Sequence, residues 1–167
     1  VNRPPAGTYA SVAMGTTHAC AIRTDGTVAC WGNGGGAMNA PSGTFTRLSA
    51  DFFQTCGIRT DGSLACWGSS PGVPPAGTYT QVSTSPFHGC ALSTAGQIAC
   101  WGDLRYGAES IPPGTYKGVA AAYYETCVIL ADGTVQCWAD EDFKSTPASV
   151  LPGTYSQISG HYQGVCG

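Results

Sequence analysis

Short apolar runs in this chain lie in pairs about a polar turn. Ala-Cys-Ala-Ile at 19–22 and Val-Ala-Cys-Trp at 28–31 flank Thr24-Asp25-Gly26. The same turn signal returns as Thr60-Asp61-Gly62, Thr94-Ala95-Gly96 and Ala131-Asp132-Gly133, so the pattern predicts four β-hairpins with glycine in the left-handed position. With a three-residue loop centred on Asp25, residue 22 faces 28 and Cys20 lies opposite Cys30. The same arithmetic opposes Cys56 to Cys66, Cys90 to Cys100 and Cys127 to Cys137. Opposed Cα atoms, roughly 4.5 to 5.5 Å apart, are within disulfide range. One face of each hairpin carries the bulky pairs Ile22/Val28, Ile58/Leu64, Leu92/Ile98 and Ile129/Val135. The other carries mostly small ones, Ala21/Ala29, Gly57/Ala65, Ala91/Ala99 and Val128/Gln136, a contrast that lets successive sheets stack closely.

The hairpins belong to a longer repeat. Gly-Thr-aromatic opens units near Gly7, Gly43, Gly77, Gly114 and Gly153, each with a proline one or two residues earlier, and the first cysteine follows each glycine at one fixed interval. Segments such as 8–13 and 78–83 alternate well enough to add a strand through Val12, Leu48, Val82, Val119 and Ile158. Each unit is therefore about three short strands, unable to bury both faces alone and dependent on its neighbours. The whole chain, 1–167, reads as a single repeat-array domain of four complete units and a partial fifth.

Composition narrows the partners. Charged residues make up 10% of the chain, with 24 Gly and 11 Pro, the profile of a turn-rich all-β protein. The net charge is −3 and the seven Lys and Arg are scattered, which argues against nucleic acid. No apolar run is long enough to span a membrane, and any signal peptide is expected to lie outside this numbering. Paired cysteines ten residues apart across a hairpin lack the tight grouping of zinc thiolates and fit disulfides formed in a secreted, extracellular or periplasmic setting.

The run His18-Ala-Cys-Ala-Ile-Arg-Thr-Asp-Gly-Thr-Val-Ala-Cys-Trp-Gly32 resembles the repeat of the regulator of chromosome condensation superfamily. It resembles especially the secreted, cysteine-paired bacterial version and is similar to the branch that includes β-lactamase inhibitors. The resemblance implies an all-β propeller in which each hairpin forms part of a blade. It also implies roles that vary among members: nucleotide exchange on a small GTPase, inhibition of β-lactamase and other protein contacts. The exchange role belongs inside cells, where hairpin disulfides would be reduced.

Within so regular a frame, the residues that vary are the candidates for recognition. The loop before the first cysteine reads Thr16-Thr17-His18, Phe52-Phe53-Gln54, Pro86-Phe87-His88, Tyr123-Tyr124-Glu125 and His161-Tyr162-Gln163. Phe52, Phe53, Phe87, His88, Tyr123, Tyr124, His161 and Tyr162 are the expected binding residues on one edge of the array, a composition suited to a protein or glycan partner. The tryptophans that follow the second cysteines, Trp31, Trp67, Trp101 and Trp138, resemble sugar platforms, but their fixed place suits core packing. Asp25, Asp61 and Asp132 suit turn hydrogen bonding, Asp140-Glu141-Asp142 a solvated loop, and the glycines at 32–36 a connector. Equivalent positions in separate blades keep the three histidines apart, so neither a metal nor a cofactor is expected. No nucleophile elbow or carboxylate dyad is visible, and the chain is expected not to be an enzyme.

Cys166 stands in the first-cysteine column with no second cysteine after it, leaving open a thiol, a bridge completed elsewhere, or an intermolecular link. The unfinished fifth unit and the proline-rich start are complementary, so head-to-tail assembly into a ring or filament is a further expectation. The sequence thus supports a secreted protein-binding module first, with a structural subunit and a lectin as alternatives.

Overall fold

The computed structural model describes residues 3–69, 72–105, 107–139, 149–161 and 164–167, with the side chains of 149, 150 and 161 outside that description. Each unit folds into one antiparallel sheet, and consecutive sheets form consecutive blades. Blade 1 comprises β1 (Tyr9–Met14), β2 (His18–Arg23) and β3 (Val28–Gly32). Blade 2 comprises β4 (Phe45–Asp51), β5 (Gln54–Arg59) and β6 (Leu64–Gly68). Blade 3 comprises β7 (Tyr79–Thr84), β8 (His88–Ser93) and β9 (Ile98–Gly102). Blade 4 has β10 (Gly118–Ala121), β11 (Glu125–Ile129), β12 (Val135–Ala139) and an added strand, β13 (Ser149–Leu151). The fifth unit supplies β14 (Ser159–His161) and β15 (Gly164–Cys166).

The hairpin register is the one expected from the turn spacing. Cys20 faces Cys30, Cys56 faces Cys66, Cys90 faces Cys100 and Cys127 faces Cys137, and all four pairs are disulfide-bonded with Cα atoms 4.0 to 4.1 Å apart. The turns hold by the expected side chains: Asp25, Asp61 and Asp132 each accept from the backbone N–H two residues on and from its hydroxyl. Where Ala95 replaces the aspartate, the Ser93 hydroxyl accepts the Gln97 N–H instead. Gly26, at φ 85°, is required twice over: the left-handed turn needs it, and a Cβ there would press on Thr44 of the next unit.

Blades stack bulky face on small face. Cys20 and Ile22 of blade 1 pack with Phe45 and Trp67 of blade 2; Cys56 and Ile58 with Val82, Ala91 and Trp101; Cys90 and Leu92 with Val119 and Val128; Ile129 and Val135 with Ile158. Burying each aliphatic side chain of this kind contributes about 1.5 to 3 kcal/mol, so the cores lie between the sheets and no blade owns one. The Gly-Thr-aromatic motif is the clasp that orders them. The N–H of Phe45, Tyr79, Tyr116 and Tyr155 donates to the turn-glycine carbonyl of the preceding hairpin, at 2.7 to 2.9 Å. The inner strands converge on a common axial cleft lined by Val12, Leu48, Gln81, Val82, Val119 and Ile158 among others, the arrangement of a propeller.

Candidate functional site

Each candidate loop is the tight connection between the first and second strands of its blade. Gly15 N–H donates to His18 O and Ser85 N–H to His88 O, each at 2.9 Å, and Ala122 N–H donates to Glu125 O at 2.8 Å. Only two residues are thereby left at each tip: Thr16-Thr17, Phe52-Phe53, Pro86-Phe87 and Tyr123-Tyr124. The strand leaving the tryptophan braces the tip from the other side. Asn33, Ser69 and Asp103 N–H donate to the carbonyls of Thr17, Phe53 and Phe87, at 2.7, 3.0 and 2.9 Å. The rings therefore stand on a fixed frame. Phe52 and Phe53 meet edge to face at 5.1 Å and are 38% and 41% exposed. Phe87 meets Tyr123 of the next blade at 4.9 Å, and Tyr123 meets Tyr124 at 4.3 Å, so half-buried rings of blades 3 and 4 form one continuous group.

Phe52 lies at φ 41°, a left-handed conformation that disfavours residues with a Cβ. The Asp51 carboxylate accepts the Phe52 N–H at 2.7 Å, and burial pushes its pKa up. Glu125, below the Tyr123-Tyr124 tip, is likewise raised by burial, whereas Asp103 is lowered, first by its hydrogen bond from Arg105. Aromatic rings over a half-buried acidic rim can take an apolar group flanked by donors or cations.

Two expectations for this edge need correction. His88 is not on the surface: it is 0% exposed, because its ring turns into the seam between blades 3 and 4. There Nε2 meets the Thr126 hydroxyl at 2.8 Å and Nδ1 meets the Ser85 hydroxyl at 2.9 Å. That serine–histidine pair is sealed on all sides, which removes it as a nucleophile. His161 is also not a tip residue, because it pairs with Gly164 on the ladder; Gly164, not Gln163, occupies the column of His18 and His88. Tyr162 and Gln163 lie outside the described residues, as does the acidic run at 140–142.

In units 1 to 3 the third loop residue is instead a staple between blades. His18 Nε2 meets Thr55 Oγ1 at 2.7 Å, and the Gln54 amide donates to Ser85 O. The sequence held a signal for this role. His18 and His88, in units 1 and 3, are matched by Thr55 and Thr126 before the first cysteine of units 2 and 4, where the other units have Ala19, Gly89 and Val165.

The remaining candidates are placed as follows. Trp67 and Trp101 are buried between blades, and Trp67 donates to Ala37 O at 2.9 Å, while Trp31 and Trp138 are partly covered. Among the described residues, Glu125, Cys127 and Cys137 bring metal-type atoms together, but both sulfurs are committed to the disulfide. Cys166 lies exposed on β15, outside the four bridges.

Fold and repeat together define a β-propeller built of repeated antiparallel blades. The family model of the regulator of chromosome condensation (RCC1) repeat matches residues 9–35, the first unit. Among solved structures the fold is similar to the CRINKLY WD40 ectodomain of the Arabidopsis thaliana receptor kinase ACR4, at TM-score 0.75 and 23% identity over 95% of this chain and 58% of that one. It is also similar to the receptor kinase CR4 ectodomain of Physcomitrella patens, at TM-score 0.74 and 22% identity over 95% of this chain and 47% of that one. Prp20p of Saccharomyces cerevisiae, described with its binding to Gsp1p and histones, matches at TM-score 0.71 and 13% identity over 97% of this chain and 56% of that one. The chain thus spans about half the length of these propellers. No curated protein matches its sequence.

Proposed function

We propose that the protein is a secreted, non-catalytic binding module that engages another protein through the aromatic tips of blades 2 to 4. The observation that carries this reading is the Phe52-Phe53 tip. Two large rings stand exposed on a two-residue turn where the backbone favours glycine or asparagine, a strained and apolar choice that folding does not require. The four disulfides suit an oxidising compartment, and the binding of Gsp1p and histones by a protein of this shape supports a partner-binding role for the scaffold. Replacing Phe52 and Phe53, or Tyr123 and Tyr124, by alanine should abolish capture of the partner from culture supernatant while leaving the urea midpoint nearly unchanged. Undiminished capture by both double variants would overturn the reading.

A second reading is favoured by the leading face of blade 1. Val12 and Met14 are 58% and 75% exposed, on a sheet whose counterparts in blades 2 and 3 are covered by the blade before. A second copy docking head to tail would bury them. Sedimentation of the same samples separates the two: assembly that Met14→Lys disrupts supports the subunit, and a concentration-independent monomer removes it.

A further inference from the structure

Blade 4 differs from the others in its outer edge. There β13 pairs antiparallel with β12, through Val135 with Leu151, Gln136 with Val150 and Cys137 with Ser149. Among the described residues the sheets of blades 1 to 3 end at β3, β6 and β9. The returning connectors of blades 3 and 4 are nearly the same sequence, Ser110-Ile111-Pro112-Pro113-Gly114-Thr115-Tyr116 against Ser149-Val150-Leu151-Pro152-Gly153-Thr154-Tyr155. One difference, Ile for Val, is neutral for a strand. The other is not. Two residues before the repeat glycine stand Pro5, Pro41, Pro75 and Pro112, and Leu151 alone breaks the series. Proline lacks the N–H of a ladder and holds φ near −65°, well short of the antiparallel strand value. Among the described residues the connector joins its own blade where leucine replaces it and not where proline stands.

At blade 3 the consequence is a gap. A cleft of about 420 Å³ opens between β9 and the connector, with Ile98 and Cys100 on the strand side and Leu104, Ile111, Pro112 and Tyr116 opposite. Blade 4 shows what pairs at such an edge: a short, extended, uncharged segment, Ser149–Leu151.

We propose that the outer edge of blade 3 is a peptide-docking site, at which an extended segment of a partner protein adds antiparallel to β9 as a fourth strand and sets an aliphatic side chain into the cleft. Backbone pairing would supply the affinity and the apolar walls the preference. This site lies on the rim of the blade and is independent of the aromatic tips.

The test uses the oxidised full chain, isotope-labelled for NMR, titrated with the capped peptide Ala-Ser-Val-Leu-Pro copied from residues 148–152. Saturable shifts should fall on residues 97–102 and 104–116. Pro112→Leu lets the chain's own connector pair with β9, so it should weaken peptide binding by about tenfold or more, about 1.4 kcal/mol, and protect amides at 110–112 from exchange. Should that variant fail to fold, the peptide with proline in place of leucine must lose binding to the unaltered protein. Phe52→Ala with Phe53→Ala should bind the peptide normally, which keeps this result separate from the tips. Absence of saturation, equal binding by Pro112→Leu, or shifts confined to 135–137 overturns the proposal. So does self-association that Pro112→Leu removes, which would assign the edge to a second copy.

Discussion

His88 shows how a residue that reads as a surface contact becomes a structural one. Burial pushes its pKa down to about 4, with the nearby Asp103 charge opposing, and His18 is shifted the same way by burial, opposed by the Phe52 carbonyl. In the unfolded chain a histidine titrates near 6.5, so as pH falls the unfolded state takes up the proton first. The stability that His88 contributes as a neutral ring is complete above pH 6.5 and is lost as pH falls toward about 4, a loss of about 3 kcal/mol. Asp51 and Glu125, raised by burial, act in the opposite sense, since their contributions are lost as pH rises. Urea midpoints measured from pH 7 to pH 4 should therefore fall, and His88→Gln, which borrows the residue of the same column at Gln54, should flatten the fall. An unchanged slope in that variant would show that His88 is not its source.

Among the elements, the Gly-Thr-aromatic entry strand is built in two ways. In units 1 and 4 the tyrosine hydroxyl donates to the proline carbonyl four residues back, Tyr9 to Pro5 and Tyr116 to Pro112, both at 2.6 Å. Unit 2 has Phe45, which cannot do so. There the Arg59 guanidinium donates to Ser42 O at 2.7 Å and lies 4.9 Å from the Phe45 ring centroid, tying down the same stretch by another route. Arg59→Ala should lower stability by about 1 kcal/mol, and Phe45→Tyr in that background should recover most of it. If the two substitutions add independently in a double-mutant cycle, the hydroxyl and the guanidinium do not share this task.

For the molecule as a whole, stability is a sum over seams. Each seam has an apolar core and a clasp from the aromatic N–H to a turn glycine, and the seams from blade 1 to blade 4 add a polar staple such as His18 to Thr55 or Ser49 to Thr84, the latter at 3.0 Å. Contacts run almost wholly between neighbours, so damage at one seam should stay local. Thr55→Val leaves His18 Nε2 without its hydroxyl and should cost about 1 to 3 kcal/mol. Amide exchange should quicken in blades 1 and 2 and hold in blades 3 and 4. Uniform quickening along the chain would mean that the blades open together.

The blades, their register and their bridges were legible because they depend on spacing. A turn of fixed length sets which residues face each other, so Cys20 must oppose Cys30 wherever the hairpin forms. The aromatic edge was legible only in part. Phe52, Phe53, Phe87, Tyr123 and Tyr124 do cluster at the tips, but the direction in which the third residue of each loop points depends on the blade beside it. His88 turned inward because Thr126, 38 positions on, offers a partner across the seam. His161 lies one position before the loop tip that its sequence suggests, since strand pairing rather than likeness of residues sets the column. The fourth strand of blade 4 lies between the two cases. One leucine among four prolines marks it in the sequence, yet whether that connector reaches β12, and what cleft its absence leaves beside β9, is decided by packing in three dimensions. Local geometry is written in neighbouring residues; burial and exposure depend on what the rest of the chain brings to the same place.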